Sequence, residues 1–107
     1  MAKKRLVRRR LAEDDIDAAL VYYLNEAGPE IAADFVAQLE KLIASISIQP
    51  KLGSQRYAQV VMISGMRYRE IKRFPYLVFY VEKENRIEVV RVLHSSRDIT
   101  SLVNEIN

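Results

Sequence analysis

Phe74-Pro75-Tyr76-Leu77-Val78-Phe79-Tyr80-Val81, then the polar Lys83-Glu84-Asn85, then Ile87-Glu88-Val89-Val90-Arg91-Val92-Leu93 read as two strands joined by a turn. Tyr76 to Val81 is apolar at every position, so both of its faces must be covered, as in the middle of a sheet. Ahead of it, Met66 to Arg73 alternates and predicts a further strand with Arg67, Arg69, Ile71 and Arg73 on one face. The three strands form an antiparallel meander. Val60 to Ile63 is too short an apolar run to separate a strand from a packed loop.

Upstream of the meander the period changes. Ile16, Ala19, Leu20, Tyr23 and Leu24 fall on one face of a helix that starts near Glu13. Glu13, Asp14 and Asp15 then occupy its first turn and complement the positive end of the helix dipole. Gly28-Pro29 is a stop and a restart, since Gly suits the position just past a helix and Pro the first position of the next. The second helix runs to about Gln49, with Phe35, Leu39, Leu42, Ile43 and Ile46 on one face and Asp34, Gln38, Lys41 and Ser45 largely on the other; Pro50 ends it. So short a connection implies an antiparallel helical hairpin. At the N-terminus, Arg5 to Arg10 predicts a short edge strand whose charges discourage pairing with other chains. At the C-terminus, Ser95 and Ser96 suit the cap of a short helix with Ile99, Leu102, Val103 and Ile106 as its apolar stripe. The expected fold class is α+β: N-terminal strand, antiparallel helical hairpin, antiparallel β-meander and short C-terminal helix, as one domain over residues 1–107.

The composition narrows the function classes. Half of the 107 residues are apolar, and only three are Gly and three Pro, which favours a folded core over disorder. The absence of cysteine removes disulfides, thiolate metal sites and Cys nucleophiles. The basic N-terminal run is not followed by the apolar region of a signal peptide, and no stretch approaches the ~18 apolar residues of a membrane span. A cytoplasmic protein without membrane contact is therefore expected. Seventeen Lys and Arg against fourteen Asp and Glu give a net charge of +3, a modest excess that favours an acidic partner.

No Gly-rich phosphate loop, metal-ligand cluster or nucleophile triad is present, so neither cofactor nor metal is expected. His94, the only histidine, stands at a strand end, where a hydrogen-bonding or capping role outweighs catalysis. Arg97 and Asp98 suit capping of the last helix and a partner contact equally. Arg67, Arg69, Lys72 and Arg73 with Tyr68 and Tyr76 make a basic, aromatic surface of the kind nucleic acids use, which a solvated strand face explains almost as well. The basic N-terminal run reads as an edge strand rather than a DNA contact, and no direct nucleic-acid binding is expected. Tyr22 and Tyr23 should split, Tyr23 inward and Tyr22 outward or at an interface.

Ala12, Asp15 and Ile16, then Ala32, Phe35 and Leu39, then Pro50 and Gly53, Gly65-x-Arg67, Pro75-Tyr76, Tyr80 and His94-x-x-Arg97-Asp98 occur in an order and spacing that resembles the RelE/ParE toxin superfamily. Within it, the RelE-like members cut messenger RNA on the ribosome with basic residues and a late Tyr or His around the scissile phosphate, and the ParE-like members inhibit DNA gyrase. Here Leu77 stands where the cutting members place an Arg, and no Tyr follows the last strand. His94 and Arg97 alone do not make an acid-base pair with a transition-state clamp. The resemblance therefore implies the ParE-like branch: a toxin of a type II toxin-antitoxin system, without catalytic residues, that binds gyrase. It implies a ParD-like antitoxin whose C-terminal helix and tail pack on the hairpin and the basic sheet face, at Arg67, Arg69, Arg73 and Tyr76, with His94 and Arg97 as candidate target contacts. Arg69 stands where ParE-like relatives would carry an apolar residue, which suggests that it lines a partner groove. The alternative is a ribosome-dependent endoribonuclease with Arg97 and His94 at the phosphate; a third reading is a related binding protein without toxicity.

Overall fold

Gly28 reverses the chain. Its φ of +93° lies where side chains are disfavoured, its N–H closes the first helix on the Tyr23 carbonyl, and Pro29 opens the next helix. The computed structural model describes residues 3–58 and 63–99. In chain order it contains β1 (Arg5–Arg8), α1 (Arg10–Ala27), α2 (Pro29–Ile48), a 3-10 turn at Pro50–Leu52, β2 (Arg67–Glu70), β3 (Tyr76–Glu82) and β4 (Arg86–His94). This is the expected α+β arrangement of strand, hairpin and meander. The expected C-terminal helix lies outside the described residues beyond its start at Ile99, and most of the run from Val60 to Ile63 lies outside them as well.

The sheet order is β1-β4-β3-β2. β2, β3 and β4 pair antiparallel, while β1 pairs parallel to β4 with Arg5 opposite Arg86 and Arg8 opposite Val89. β3 and β4 are covered on both faces. On one side Val78, Tyr80, Ile87, Val89 and Val92 pack with Ala12, Ile16, Phe35, Leu39 and Ile46 of the hairpin. On the other, Leu77, Phe79, Val81, Val90 and Leu93 pack with Met66 and Ile99. β4 changes step at a bulge: Phe79 faces Arg91 and Tyr80 faces Val89, so Val90 is the extra residue.

Two boundaries differ from expectation by three residues each. α1 begins at Arg10, three residues before Glu13, because Ala12 is fully buried and Arg9 already accepts the Glu13 amide. Only Glu13 of the acidic trio lies in the first turn. β2 ends at Glu70, since Ile71 dives into the core and Arg73 adopts a φ of +71° in the tight turn ahead of Pro75.

Charges hold β1 in place. Arg9 donates to Glu88 at 2.6 and 3.0 Å and Arg86 donates to the other carboxylate oxygen at 2.6 Å, while Lys4 reaches Glu82 at 2.8 Å. The hydrogen bond from Arg9, with Arg86 adding, holds Glu88 below the ordinary carboxylate value of 4.5 against the opposing effect of burial. Lys4, with Lys51 adding, does the same for Glu82. With native values depressed, the unfolded chain binds more protons as the solution is acidified. The contribution is whole above pH 4.5 and is lost as pH falls through the depressed values. Glu88→Gln is expected to cost about 1–3 kcal/mol at neutral pH and to flatten the acid limb of stability, as urea titrations over a pH series would measure.

Candidate functional site

The expected partner residues fall into two places on the molecule. Arg67, Arg69 and Arg73 lie along the seam between β2 and α2. Register places Arg67 opposite Tyr80 and Arg69 opposite Val78, so both point to the helix side of the sheet. Arg67 donates to the Gly53 carbonyl at 2.8 Å, Arg69 to Ser45 Oγ at 2.7 Å and Arg73 to Asp34 at 3.1 Å. Asp34 and Ser45 of the polar stripe of α2 thus bond across to this edge, while Gln38 and the exposed Lys41 line the space between. A cleft of 220 Å³ opens here between Gln38, Lys41 and Ser45 on one wall and Arg69, Glu70 and Lys72 on the other. Arg69 lines this seam and stays out of both apolar cores. Arg73, exposed and in the left-handed backbone region, forms only a surface ion pair with Asp34.

Tyr76 does not join the three arginines. It stands across the sheet from His94, in an aromatic cluster with Tyr23, Phe35 and Phe74. The Tyr23 ring meets Phe74 at 5.1 Å and Phe35 at 5.3 Å, and His94 meets Tyr76 at 5.2 Å, edge to face. A second cleft, of 230 Å³, lies between α1 and the ends of β3 and β4, lined by Asp15, Ala18, Tyr22, Tyr76, His94 and Arg97. The candidate target contacts His94 and Arg97 are therefore neighbours of Tyr76. Burial, with Tyr22 adding, raises the Tyr76 hydroxyl above its ordinary value, and Arg97 pulls the other way.

His94 is engaged locally. Its Nδ1 accepts the Ser96 amide at 3.1 Å and lies 2.8 Å from Ser96 Oγ, which closes the turn after β4. Arg97 is exposed, with its amide bonded to the His94 carbonyl. Tyr22 is 56% exposed and Tyr23 half-buried, split as expected. Tyr22 borders exposed Val21 and Leu24, and Ile31 is exposed just beyond the hairpin turn.

Sequence reading missed the part that holds α1 in place. Asp15 accepts the Arg91 guanidinium at 2.8 and 2.9 Å and the Val92 amide at 3.0 Å. β1 pairs with β4 only as far as Val89, and Asp15 takes up the strand edge beyond that point. A lone Arg inside the apolar run Val89-Val90-Arg91-Val92-Leu93 was the available signal, because a cation in a buried strand needs a carboxylate.

Among the described residues, no helix is long and apolar enough to cross a membrane, and no three His, Cys, Asp or Glu side chains gather as a metal site would need. The family described as the ParE toxin of type II toxin-antitoxin system, parDE, matches residues 6–99. The solved structure of the chromosomal ParDE TA system from P. aeruginosa shares the fold at a TM-score of 0.72, with 23% identity over 86% of this chain and 96% of that one. No curated protein matches the sequence.

Proposed function

The chain belongs to the ParE toxin family of type II toxin-antitoxin systems, and from that premise we propose that it acts in the cytoplasm by binding and inhibiting DNA gyrase, with no chemistry of its own. The observation that carries this reading is the place of Leu77. The residue is 7% exposed and packs with Met66, Phe79 and Leu93, where the RNA-cutting relatives need a cation. His94 has its Nδ1 held by Ser96 in the turn after β4, a structural role that needs no catalysis to explain it.

The antitoxin that family membership implies would be ParD-like, and it would cover two features at once. Exposed Val21, Leu24 and Ile31 suit the apolar face of a helix, and the α2–β2 seam with Arg67, Arg69 and Arg73 suits acidic side chains of a following tail. Among the described residues those arginines bond a carbonyl, a hydroxyl and a partly exposed carboxylate, partners that a closer carboxylate can replace. Arg69→Glu with Arg73→Glu is expected to weaken a ParD-like antitoxin about a hundredfold in a calorimetric titration. Arg73→Gly serves as a control for folding, because glycine adopts the left-handed backbone without strain. Unchanged affinity would remove this seam from the interface.

The activity itself is tested by a supercoiling assay with purified gyrase beside a ribosome-dependent messenger RNA cleavage assay. Loss of supercoiling with intact RNA is expected. Cleavage with normal supercoiling would overturn the reading and turn attention to His94, Arg97 and Tyr76, which share a cleft. Normal growth on induced expression without antitoxin would point to a binding protein that lacks toxicity.

A further inference from the structure

β1 lies at the edge of the sheet, and its backbone alternates in direction. The Arg9 amide bonds Val89 of β4, so Arg5, Val7 and Arg9 turn inward; Lys4 turns outward, where its amide bonds the Ser47 carbonyl and its carbonyl accepts from Ser47 Oγ. By the same alternation Leu6 and Arg8 point their N–H and C=O groups outward, and among the described residues these groups have no partner. Beside this open edge runs a groove of 520 Å³ between β1 and α2, floored by Leu6, Ile43 and Ala44 and rimmed by Lys3, Arg5 and Arg8. Arg8 is paired with Glu40, but Lys3 and Arg5 are exposed and meet no carboxylate among the described residues.

We propose that this edge and groove bind an extended acidic segment of a separate protein, which adds to the sheet as a fifth strand beside β1. Its backbone would pair with Leu6 and Arg8, its carboxylates would meet Lys3 and Arg5, and an apolar side chain between them would cover Leu6 and Ile43. A second copy of this chain does not fit. Any register of Lys3 to Arg10 against itself sets cation opposite cation, which is destabilising across a strand pair. The same cations that refuse a like strand select an acidic one. The inference is independent of how the toxin acts, since it rests on the strand edge opposite β2 and on none of the residues assigned above to gyrase or to the arginine seam.

A short capped peptide alternating glutamate and valine is the probe, with its lysine-valine counterpart as control. In an amide-exchange experiment on the full chain, Leu6 and Arg8 exchange fast in the free protein. The glutamate peptide is expected to slow both by about tenfold or more, leave Val7 and Arg9 as they were, and lose affinity as salt is raised. Arg8→Pro removes the outward amide and leaves the ladder to β4 intact; it is expected to weaken the peptide about tenfold, and Arg8→Gln, which keeps the amide, by clearly less. Because position 8 adjoins the start of α1, Arg5→Glu provides a second test: it should weaken the glutamate peptide and strengthen the lysine one. Binding without protection of Leu6 and Arg8, equal binding of both peptides, or no binding at all would overturn the proposal.

Discussion

Gly53→Ala is expected to cost about 2–4 kcal/mol of stability, although alanine adopts the local backbone, with φ near −71°, without strain. The reason is space. A Cβ on Gly53 would overlap the Tyr80 hydroxyl and come within 2.9 Å of Arg67 Cβ and of Tyr80 Cζ. Tyr80 is fully buried, and its hydroxyl donates to the Pro50 carbonyl at 2.8 Å, so it has no low-energy way to retreat. Either the ring shifts and breaks that bond, or the segment 50–54 moves off the sheet. That segment carries the pair of backbone bonds between Ser54 and Tyr68 that guards the edge of β2, and the Gly53 carbonyl that holds Arg67. The loss should therefore appear in the urea midpoint and, if the proposed seam is the antitoxin interface, as weaker antitoxin binding. A double-mutant cycle assigns the cause. Tyr80→Phe alone costs about 1–3 kcal/mol, but in the Gly53→Ala background it should cost much less, because it removes the atom that clashes. Additive costs would mean that the overlap is relieved elsewhere.

Local chemistry wrote some of this fold into the sequence, and distance kept the rest out of view. Gly28-Pro29 announces the hairpin because both residues act through their own backbone. The unbroken apolar runs of β3 and β4 announce burial on two faces, which the hairpin and the Met66 cluster supply. The parallel pairing of β1 with β4 joins residues about eighty positions apart, and nothing in Arg5–Arg8 names its partner. The start of α1 was misplaced because three acidic residues advertise a first turn more loudly than the small, buried Ala12. At the candidate site, the sequence supplied the residue types but not their grouping. Tyr76 follows closely on Arg73 in the chain, yet the turn at Arg73 sends it to the cleft with His94 and Arg97. A bulge cannot be counted in advance either: the extra Val90 shifts the register of β4 on β3 just before Arg91, the residue that reaches Asp15 of α1.

That last contact sets the other large expectation. Asp15→Ala should cost about 3–5 kcal/mol, the range for breaking a buried ion pair from one side. Arg91 and Asp15 side chains are 8% and 14% exposed, so water replaces the lost carboxylate poorly. The Val92 amide, on a buried residue at a strand edge that β1 no longer covers, loses its acceptor in the same step. Asp15→Asn keeps the shape and one acceptor and should cost roughly half as much. The measurement is a denaturant titration of all three proteins under one condition. Asp15→Leu with Arg91→Met then separates folding from function. Removing both charges should recover much of the stability, since a buried pair is often no more stable than apolar residues of similar size. α1 would return to the sheet without the bond that sets its register on β4. Tyr22 belongs to α1, and Tyr76, His94 and Arg97 belong to the sheet end, so the cleft between them depends on that register. A double variant that is folded but lacks the proposed gyrase inhibition would place the target contact in this cleft, and one that is folded and inhibits would move it elsewhere.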